Sequence, residues 1–303
     1  MTARAPTVAA APAVMRTKGW GDYALLDSGD GRKLERYGPY SVVRPEPQCL
    51  WSPRLPQSAW DEADAVFEPA DEDEAGRWRF TGKTRESWPL AWDKVKFHGR
   101  FTNFRHLAFF PEQAANWEWL SERIRGARTT GGQPRVLNLF GYTGVASLAM
   151  AAAGAAVTHV DASKKAVAWA RENAELSGLA DRPIRWITED ARKYVQREAR
   201  RGSKYEGVIL DPPKYGRGPG GEVWRLFEDL PELARLCGEL LSDQASFLVL
   251  NAYAERISGA ALSGLLAEVL KGRGGTIEWG ELALVEDAGD RQIGMSFFAR
   301  WAT

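Results

Sequence analysis

The sequence predicts a doubly wound α/β fold preceded by a smaller β-rich region, and three observations carry that expectation. Between residues 135 and 250, short apolar runs alternate with stretches of helical periodicity. The apolar runs are brief and bounded by turns, as strands covered on both faces by helices must be. Past residue 270 the alternation stops, and two extended-looking runs close the chain.

Taken in order, Arg135 to Phe140 reads as a strand, Val145 to Ala153 as a helix and Ala156 to Val160 as a strand. Lys164 to Leu176 follows as a helix, with Ser163 offering its hydroxyl as an N-cap. Ile184 to Thr188, Gly207 to Leu210 and Ala245 to Leu250 continue the strands, separated by helices over Ala191 to Arg201 and Glu222 to Leu241. Leu262 to Leu270 is a last helix, and Gly275 to Val285 with Gln292 to Trp301 forms a terminal strand pair on the otherwise parallel sheet. Ahead of the alternation, Glu112 to Ile124 has helical spacing, and Pro111 sits where a first turn tolerates it.

The N-terminal third reads differently. Trp20 to about Trp92 is rich in Trp, Tyr, Arg, Gly and Pro, with extended runs at Tyr23 to Leu26 and Tyr40 to Arg44. Ser28-Gly29-Asp30-Gly31 is a hairpin signal, because glycine supplies the positive φ that tight turns need. Residues 61 to 74 carry eight acidic side chains and no basic one, which predicts a solvated loop. The expected organisation is a flexible tail over 1–17, a β-rich substrate-recognition region over 18–92 and a catalytic domain over 93–303.

At 303 residues, 44% hydrophobic and 26% charged, the chain is an ordinary globular protein. Lys plus Arg and Asp plus Glu both total 40, so overall charge points to neither nucleic acid nor a membrane. Cys49 and Cys237 lack metal-ligand spacing, which predicts free thiols, no metal site and a reducing cytoplasm. No apolar run is long enough to cross a bilayer, and residues 7 to 15 lack the pattern of a signal peptide. His98, His106 and His159 show no ligand pattern and are expected in packing or at the surface.

Chemistry concentrates at the ends of the predicted strands. Asn138-Leu139-Phe140-Gly141-Tyr142-Thr143-Gly144 is a strand end and a turn whose two glycines let backbone approach a ligand closely. Its Gly-x-x-Gly spacing is not the Gly-x-Gly-x-x-Gly of a dinucleotide site, which disfavours a nicotinamide-dependent reductase. Asp161, followed by Ala162 and Ser163, ends the second strand, where a carboxylate accepts hydrogen bonds from two ribose hydroxyls. Asp190, followed by Ala191, ends the third and faces either an adenine amino group or the next helix as its N-cap. Asp211-Pro212-Pro213-Lys214-Tyr215 follows the fourth strand. The paired prolines stiffen this loop and fix acceptors that can grip a nucleophilic amine while a ring stacks on its base. Lys214 toward a substrate phosphate and Tyr215 as a stacking ring are set against a solvated lysine and a packed tyrosine.

On these residues, together with Phe110-Pro111-Glu112-Gln113, the chain resembles class I S-adenosylmethionine-dependent methyltransferases over about residues 105 to 303. It looks closest to the branch containing the bacterial 23S ribosomal RNA methyltransferases that modify cytosine C5 or guanine. The resemblance implies a Rossmann-like seven-stranded sheet, mostly parallel with an antiparallel terminal strand. It also implies S-adenosylmethionine as cofactor, S-adenosylhomocysteine as product and ribosomal RNA as substrate. The glycine turn would cradle the methionine part, Asp161 the ribose and Asp190 the adenine; the Asp211 loop would face the methyl group, and Gln113 would approach the pocket.

Two departures matter. Many class I enzymes have an acid where this chain has Asn138, and cytosine-C5 enzymes carry a cysteine where this chain reads Asn251-Ala252-Tyr253. C5 of cytosine is not nucleophilic until a thiolate adds to the ring, so that reaction is disfavoured and direct transfer is expected. A basic aromatic stretch from Arg77 to Arg105 suits single-stranded RNA, or equally a β-rich core with charges outside. A second basic run, from Arg192 to Lys204, is expected to be a solvated helix face. Competing readings are a methyltransferase acting on a protein or small molecule, and a cofactor-binding module without catalysis.

Overall fold

In the computed structural model the described residues are 5–70, 75–127, 133–253 and 256–303, and they divide into two compact units. One comprises Met1–Met15, Asn116–Leu282 and Met295–Thr303; the other comprises Arg16–Ala115 and Ala283–Gly294. The β-rich unit therefore runs past the expected boundary at residue 92 and recovers a piece of the C-terminal strand pair.

Two short strands begin the chain, β1 (Thr7–Val8) and β2 (Ala13–Thr17). The expectation of a flexible tail over residues 1–17 is corrected here, with residues 1–4 lying outside the described ones. Backbone pairing orders this segment, through Thr7 N–H to the Gly275 carbonyl and Ala9 N–H to that of Ile277, both at 2.8 Å. Val8 and Val14 stay more than a third exposed, so no apolar periodicity announces these strands.

The β-rich unit contains β3 (Tyr23–Gly29), β4 (Arg32–Tyr37), β5 (Tyr40–Pro45), α1 (Gln57–Asp61), β6 (Ala65–Pro69) and β7 (Gly76–Phe80), with the strands in sheet order β3-β4-β5-β6-β7. The predicted hairpin is present: Asp30 and Gly31 both have positive φ, the conformation of a two-residue turn whose twist suits antiparallel strands. β8 (Ser87–Trp92) and β9 (Val95–Arg100) form a second hairpin. The acidic segment is not simply a loop, because Ala65 and Phe67 alternate inward in a strand paired with β7. Residues 71–74 lie outside the described ones.

This unit buries charge as well as apolar surface. The Glu35 carboxylate accepts from Arg44 Nε at 2.7 Å, Arg44 Nη2 at 2.8 Å, and the Tyr23 and Tyr37 hydroxyls at 2.9 and 3.0 Å. Burial by itself would raise the Glu35 carboxyl, but Arg44 and Lys33 hold it at about 2.

The larger unit follows the predicted alternation. It runs α2 (Ala114–Gly126), β10 (Arg135–Leu139), α3 (Val145–Ala153), β11 (Ala156–Asp161), α4 (Lys164–Leu176), β12 (Ile184–Thr188), α5 (Ala191–Arg200) and β13 (Gly207–Leu210). It continues with β14 (Tyr215–Arg217), β15 (Val223–Arg225), α6 (Leu226–Leu240), β16 (Phe247–Ala252), α7 (Gly259–Val269), β17 (Thr276–Val285) and β18 (Gln292–Ala302). The sheet order is β1-β17-β18-β16-β13-β10-β11-β12, with β2 also paired to β17. The expected seven strands are all present, β18 is antiparallel to β16, and β1 and β2 extend the sheet to nine.

Side chains alternate between two cores, as a sheet covered on both faces requires. Leu137, Leu139, Val208, Leu210, Leu248 and Leu250 join one core with Tyr194, Leu233 and Leu266. Val136, Val157, Ile209 and Val249 point the other way, to Leu120, Ile124 and Met150. One helix differs from expectation: residues 223–225, placed in a helix by periodicity, are a strand, and α6 begins at Leu226.

Candidate active site

Register brings the predicted residues into one row. Leu139 of β10 lies beside Val160 of β11 and Leu210 of β13; Leu210 lies beside Leu250 of β16; and Asp161 lies beside Thr188 of β12. One residue further, Phe140, Asp161, Asp211 and Asn251 stand together at the carboxyl edge of the sheet, where open α/β folds bind ligands.

The turn after β10 is tightly constrained. Phe140, Tyr142 and Gly144 all have positive φ, at 58°, 47° and 83°. Two non-glycine residues held in this region persist only where their surroundings over-determine them, a feature concentrated at ligand sites. At Gly141 a Cβ would lie 2.5 Å from the His159 ring, and at Gly144 it would lie 2.8 Å from the Ala170 Cβ. Thr143 is anchored by Asn173 Nδ2, which donates to its carbonyl at 2.9 Å.

Beneath the turn runs a buried polar chain. Asn138 faces His159 across the β10–β11 ladder, and its Nδ2 donates to Ser147 Oγ at 2.8 Å. Ser147 Oγ in turn meets His159 Nδ1 at 3.0 Å. Burial pushes the His159 imidazole down to about 3, so it is neutral. Asn138 is only 2% exposed. Its amide ties the end of β10 to helix α3 beneath the turn. Replacing Gly141 by alanine is expected to cost about 1–3 kcal/mol by forcing the turn off this ring. Thermal melting together with calorimetric titration of S-adenosylhomocysteine would show it, as a lower midpoint and weakened binding.

Asp161 ties the glycine turn to the start of α4. Its Oδ2 accepts from Tyr142 N–H at 2.9 Å and its Oδ1 from Ser163 N–H at 2.8 Å, while Ser163 Oγ caps α4 by accepting from Ala166 N–H. A carboxylate has about four acceptor sites, so two backbone donors leave room for two ribose hydroxyls. Burial raises the Asp161 carboxyl above its ordinary value, and the two amides oppose that rise. Asp190 does cap α5, with Oδ1 accepting from Lys193 N–H at 3.0 Å, and Ala191 is buried as the first residue of that helix.

Asp211 and Pro212 leave β13 half-buried and buried, whereas Pro213, Lys214 and Tyr215 are exposed. The loop leads into the β14–β15 hairpin, whose Trp224 donates from Nε1 to the Pro213 carbonyl at 2.7 Å. The Trp224 ring packs on Phe140 at 5.0 Å between centroids. One residue hidden within an expected helix thus joins the glycine turn to the Asp-Pro-Pro loop. Gln113 belongs to the β-rich unit, where it is buried at the end of the Pro111–Gln113 turn. Cys49 and Cys237 are both buried, and Cys237 sits within α6 with burial raising its thiol. Asn251 holds the position after the fifth strand's core and accepts from Asn116 Nδ2 at 3.1 Å.

Of the basic aromatic stretch, Trp88 and Phe97 are core residues, while Phe80 and Phe104 remain about half exposed. The run on α5 is largely paired: Arg192 with Asp229, Lys193 with Glu222 and Arg197 with Glu189. No cluster of three or more metal-ligating side chains and no helix long and apolar enough to cross a membrane occurs among the described residues. A cavity of about 640 Å³ beside Trp119, Arg123, Glu206 and Ser246 lies at the amino ends of β13 and β16, away from this row.

A glycine turn feeding a helix N-terminus, with acids closing successive parallel strands, defines a nucleoside-binding α/β protein of the methyltransferase class. The profile of the S-adenosylmethionine-dependent methyltransferase family matches residues 66–252, and the chain belongs to that family, whose cofactor is S-adenosylmethionine. A crystal structure of a SAM-dependent methyltransferase from Agrobacterium tumefaciens is 50% identical, with a TM-score of 0.94 over 100% of this chain and 96% of that one. The ribosomal RNA large subunit methyltransferase K/L of Shewanella sp. (strain ANA-3) is 37% identical over 98 residues, covering 32% of this chain and 14% of that protein. The ribosomal RNA large subunit methyltransferase I of Aeromonas hydrophila is 34% identical over 122 residues, covering 40% and 29%. The chain thus spans less than a third of the length of each of these two relatives.

Proposed function

We propose that this protein methylates RNA, ribosomal RNA above other acceptors, by direct transfer without a covalent enzyme intermediate. The observation that carries the reading is the Asp211-Pro212-Pro213 loop leaving the sheet in the same row as Phe140 and Asp161. The relatives named as ribosomal RNA methyltransferases support the choice of acceptor.

The residues fit the cofactor. Gly141 and Gly144 let the turn close down on His159 and Ala170, where a Cβ would clash, and the amides at the start of α3 favour a carboxylate such as that of the methionine part. Asp161 has acceptor capacity for the ribose, and Asp190 with Ala191 borders the adenine side. S-adenosylmethionine supplies an already activated sulfonium methyl, so the protein has mainly to position the acceptor and exclude water. Asp211 accepts a hydrogen bond from the acceptor nitrogen and keeps its lone pair aimed; Pro212 and Pro213 hold that carboxylate still. Lys214 meets phosphate and Tyr215 stacks on the base. The β-rich region, set at 18–92 on sequence, presents the RNA.

Neither cysteine stands in the row of strand-end residues, which supports the reading that disfavours cytosine C5. Mass spectrometry of ribosomal RNA nucleosides from cells with and without the protein tests the acceptor: one methylated nucleoside should disappear. An unchanged profile would point to a protein or small-molecule acceptor. Asp161→Ala should weaken S-adenosylhomocysteine binding about 10- to 100-fold, the worth of charge-assisted hydrogen bonds, as read by calorimetry.

A further inference from the structure

We infer that the β14–β15 hairpin is a nucleic-acid platform, in which Arg217, Arg225 and Phe227 seat the single strand that delivers its base to Asp211. This rests on the proposed RNA acceptor and adds residues that neither the motifs nor the family match assign.

The hairpin is two-faced. Tyr215 pairs with Arg225, Gly216 with Trp224 and Arg217 with Val223. Because side chains alternate along a strand, Trp224 faces inward while Tyr215, Arg217 and Arg225 lie exposed on the opposite side. Tyr215 is 51% exposed, and Phe227, in the first turn of α6, is 57% exposed. Large aromatic rings left in water beside guanidinium groups make the combination that single-stranded nucleic acid uses, with bases on the rings and phosphates on the cations.

Charge on this face is sorted by sign. Glu222, the acid of the hairpin, is turned inward; it accepts from Gly220 N–H and pairs with Lys193, leaving its side chain only 11% exposed. Asp229 is likewise occupied, by Arg192 and the Arg225 N–H. Arg225 also meets Glu228 at 3.1 Å, with both side chains at least 60% exposed. Such a surface pair is worth little and yields readily to a phosphate. The outward charges of the hairpin are therefore cationic.

The platform is also fixed in place. Trp224 clamps its inner face through the Pro213 carbonyl and the Phe140 ring, so the strand it holds runs four residues from Asp211.

The test is fluorescence anisotropy of a fluorescein-labelled 15-nucleotide single-stranded RNA of mixed sequence. The full chain is saturated with S-adenosylhomocysteine and measured at several salt concentrations from 50 to 200 mM. Arg217→Glu with Arg225→Glu should weaken binding at least tenfold and reduce the slope of log affinity against log salt by about 1.4, the share of two phosphate contacts on a single strand. Phe227→Ala should weaken it about fivefold or more with the slope unchanged. Calorimetry with S-adenosylhomocysteine should match the wild type in both variants, which reports an intact fold. Should the charge reversal fail to fold, Arg217→Gln with Arg225→Gln removes the same contacts without adding acids. Wild-type binding with variants indistinguishable from it overturns the platform alone. No association of the wild type with RNA overturns the RNA reading beneath it.

Discussion

Replacing Asp211 by alanine is expected to lower the rate of methyl transfer about 100-fold while leaving S-adenosylhomocysteine affinity within a factor of two. Asp211 stands at the end of β13, between the turn that follows β10 and the end of β16, and two prolines follow it. On the proposed reading a carboxylate so held is not needed to bind the cofactor, because Asp161, beside the glycine turn, serves the ribose. Its loss is felt only when an acceptor nitrogen must be held in line, so kcat should fall while cofactor binding persists. Single-turnover transfer of a labelled methyl group to RNA from cells lacking the protein measures this. Undiminished turnover in the variant removes Asp211 from its proposed role.

The contrast with Asp161 shows why the two acids are separable. Asp161 is buried and already accepts two backbone N–H groups, one of them from the strained turn itself. Changing it removes the acceptor of both N–H groups and, with them, the proposed ribose contact, so binding should suffer first. Asp211 lies on a loop that leads into a partly exposed hairpin.

The parallel strands β10, β11, β12, β13 and β16 were legible because each is a short, largely apolar run closed by a turn, and that pattern is local. The hairpin at Asp30 and Gly31 was legible for a similar reason, since positive φ has few chemical solutions. What escaped was set by partners distant in sequence. His159 gives no motif, yet register places it opposite Asn138 and under Gly141, where it becomes the floor of the turn. The stretch Glu222-Val223-Trp224-Arg225 runs directly into an apolar helical period. The true helix start at Leu226 has no side-chain cap at Arg225 to mark it; Asp229 instead reaches back to the Arg225 N–H. β1 and β2 bury too little to show in any hydrophobic pattern and are held by ladder hydrogen bonds and by side-chain bonds such as Arg16 Nε to Gln292 Oε1 at 3.0 Å. The basic aromatic stretch from 77 to 105 divided only when burial assigned Trp88 and Phe97 to the core.

The largest stability effect is expected from the charge buried in the β-rich unit. Glu35→Ala strands Arg44, which is only 6% exposed and whose Nε and Nη2 both donate to that carboxylate. Removing one member of a buried pair costs about 3–5 kcal/mol, because the other keeps its desolvation penalty without its partner. Glu35→Met with Arg44→Met should recover much of that loss, since neither charge then remains to be desolvated. Acid should act on the same pair. The Glu35 carboxyl sits at about 2 in the folded chain against an ordinary value of 4.5, so its contribution is complete above 4.5 and disappears as pH falls toward 2. Glu112, buried in the same unit and raised by that burial, works in the opposite sense, favouring the folded state as pH falls from its raised value toward 4.5. Below 4.5 the Glu35 loss therefore stands uncompensated by Glu112. Thermal midpoints measured between pH 5.5 and 3 should fall steeply in the wild type below 4.5 and less steeply in the double methionine variant. Parallel curves for the two would show that this carboxylate does not set the acid limit of the fold.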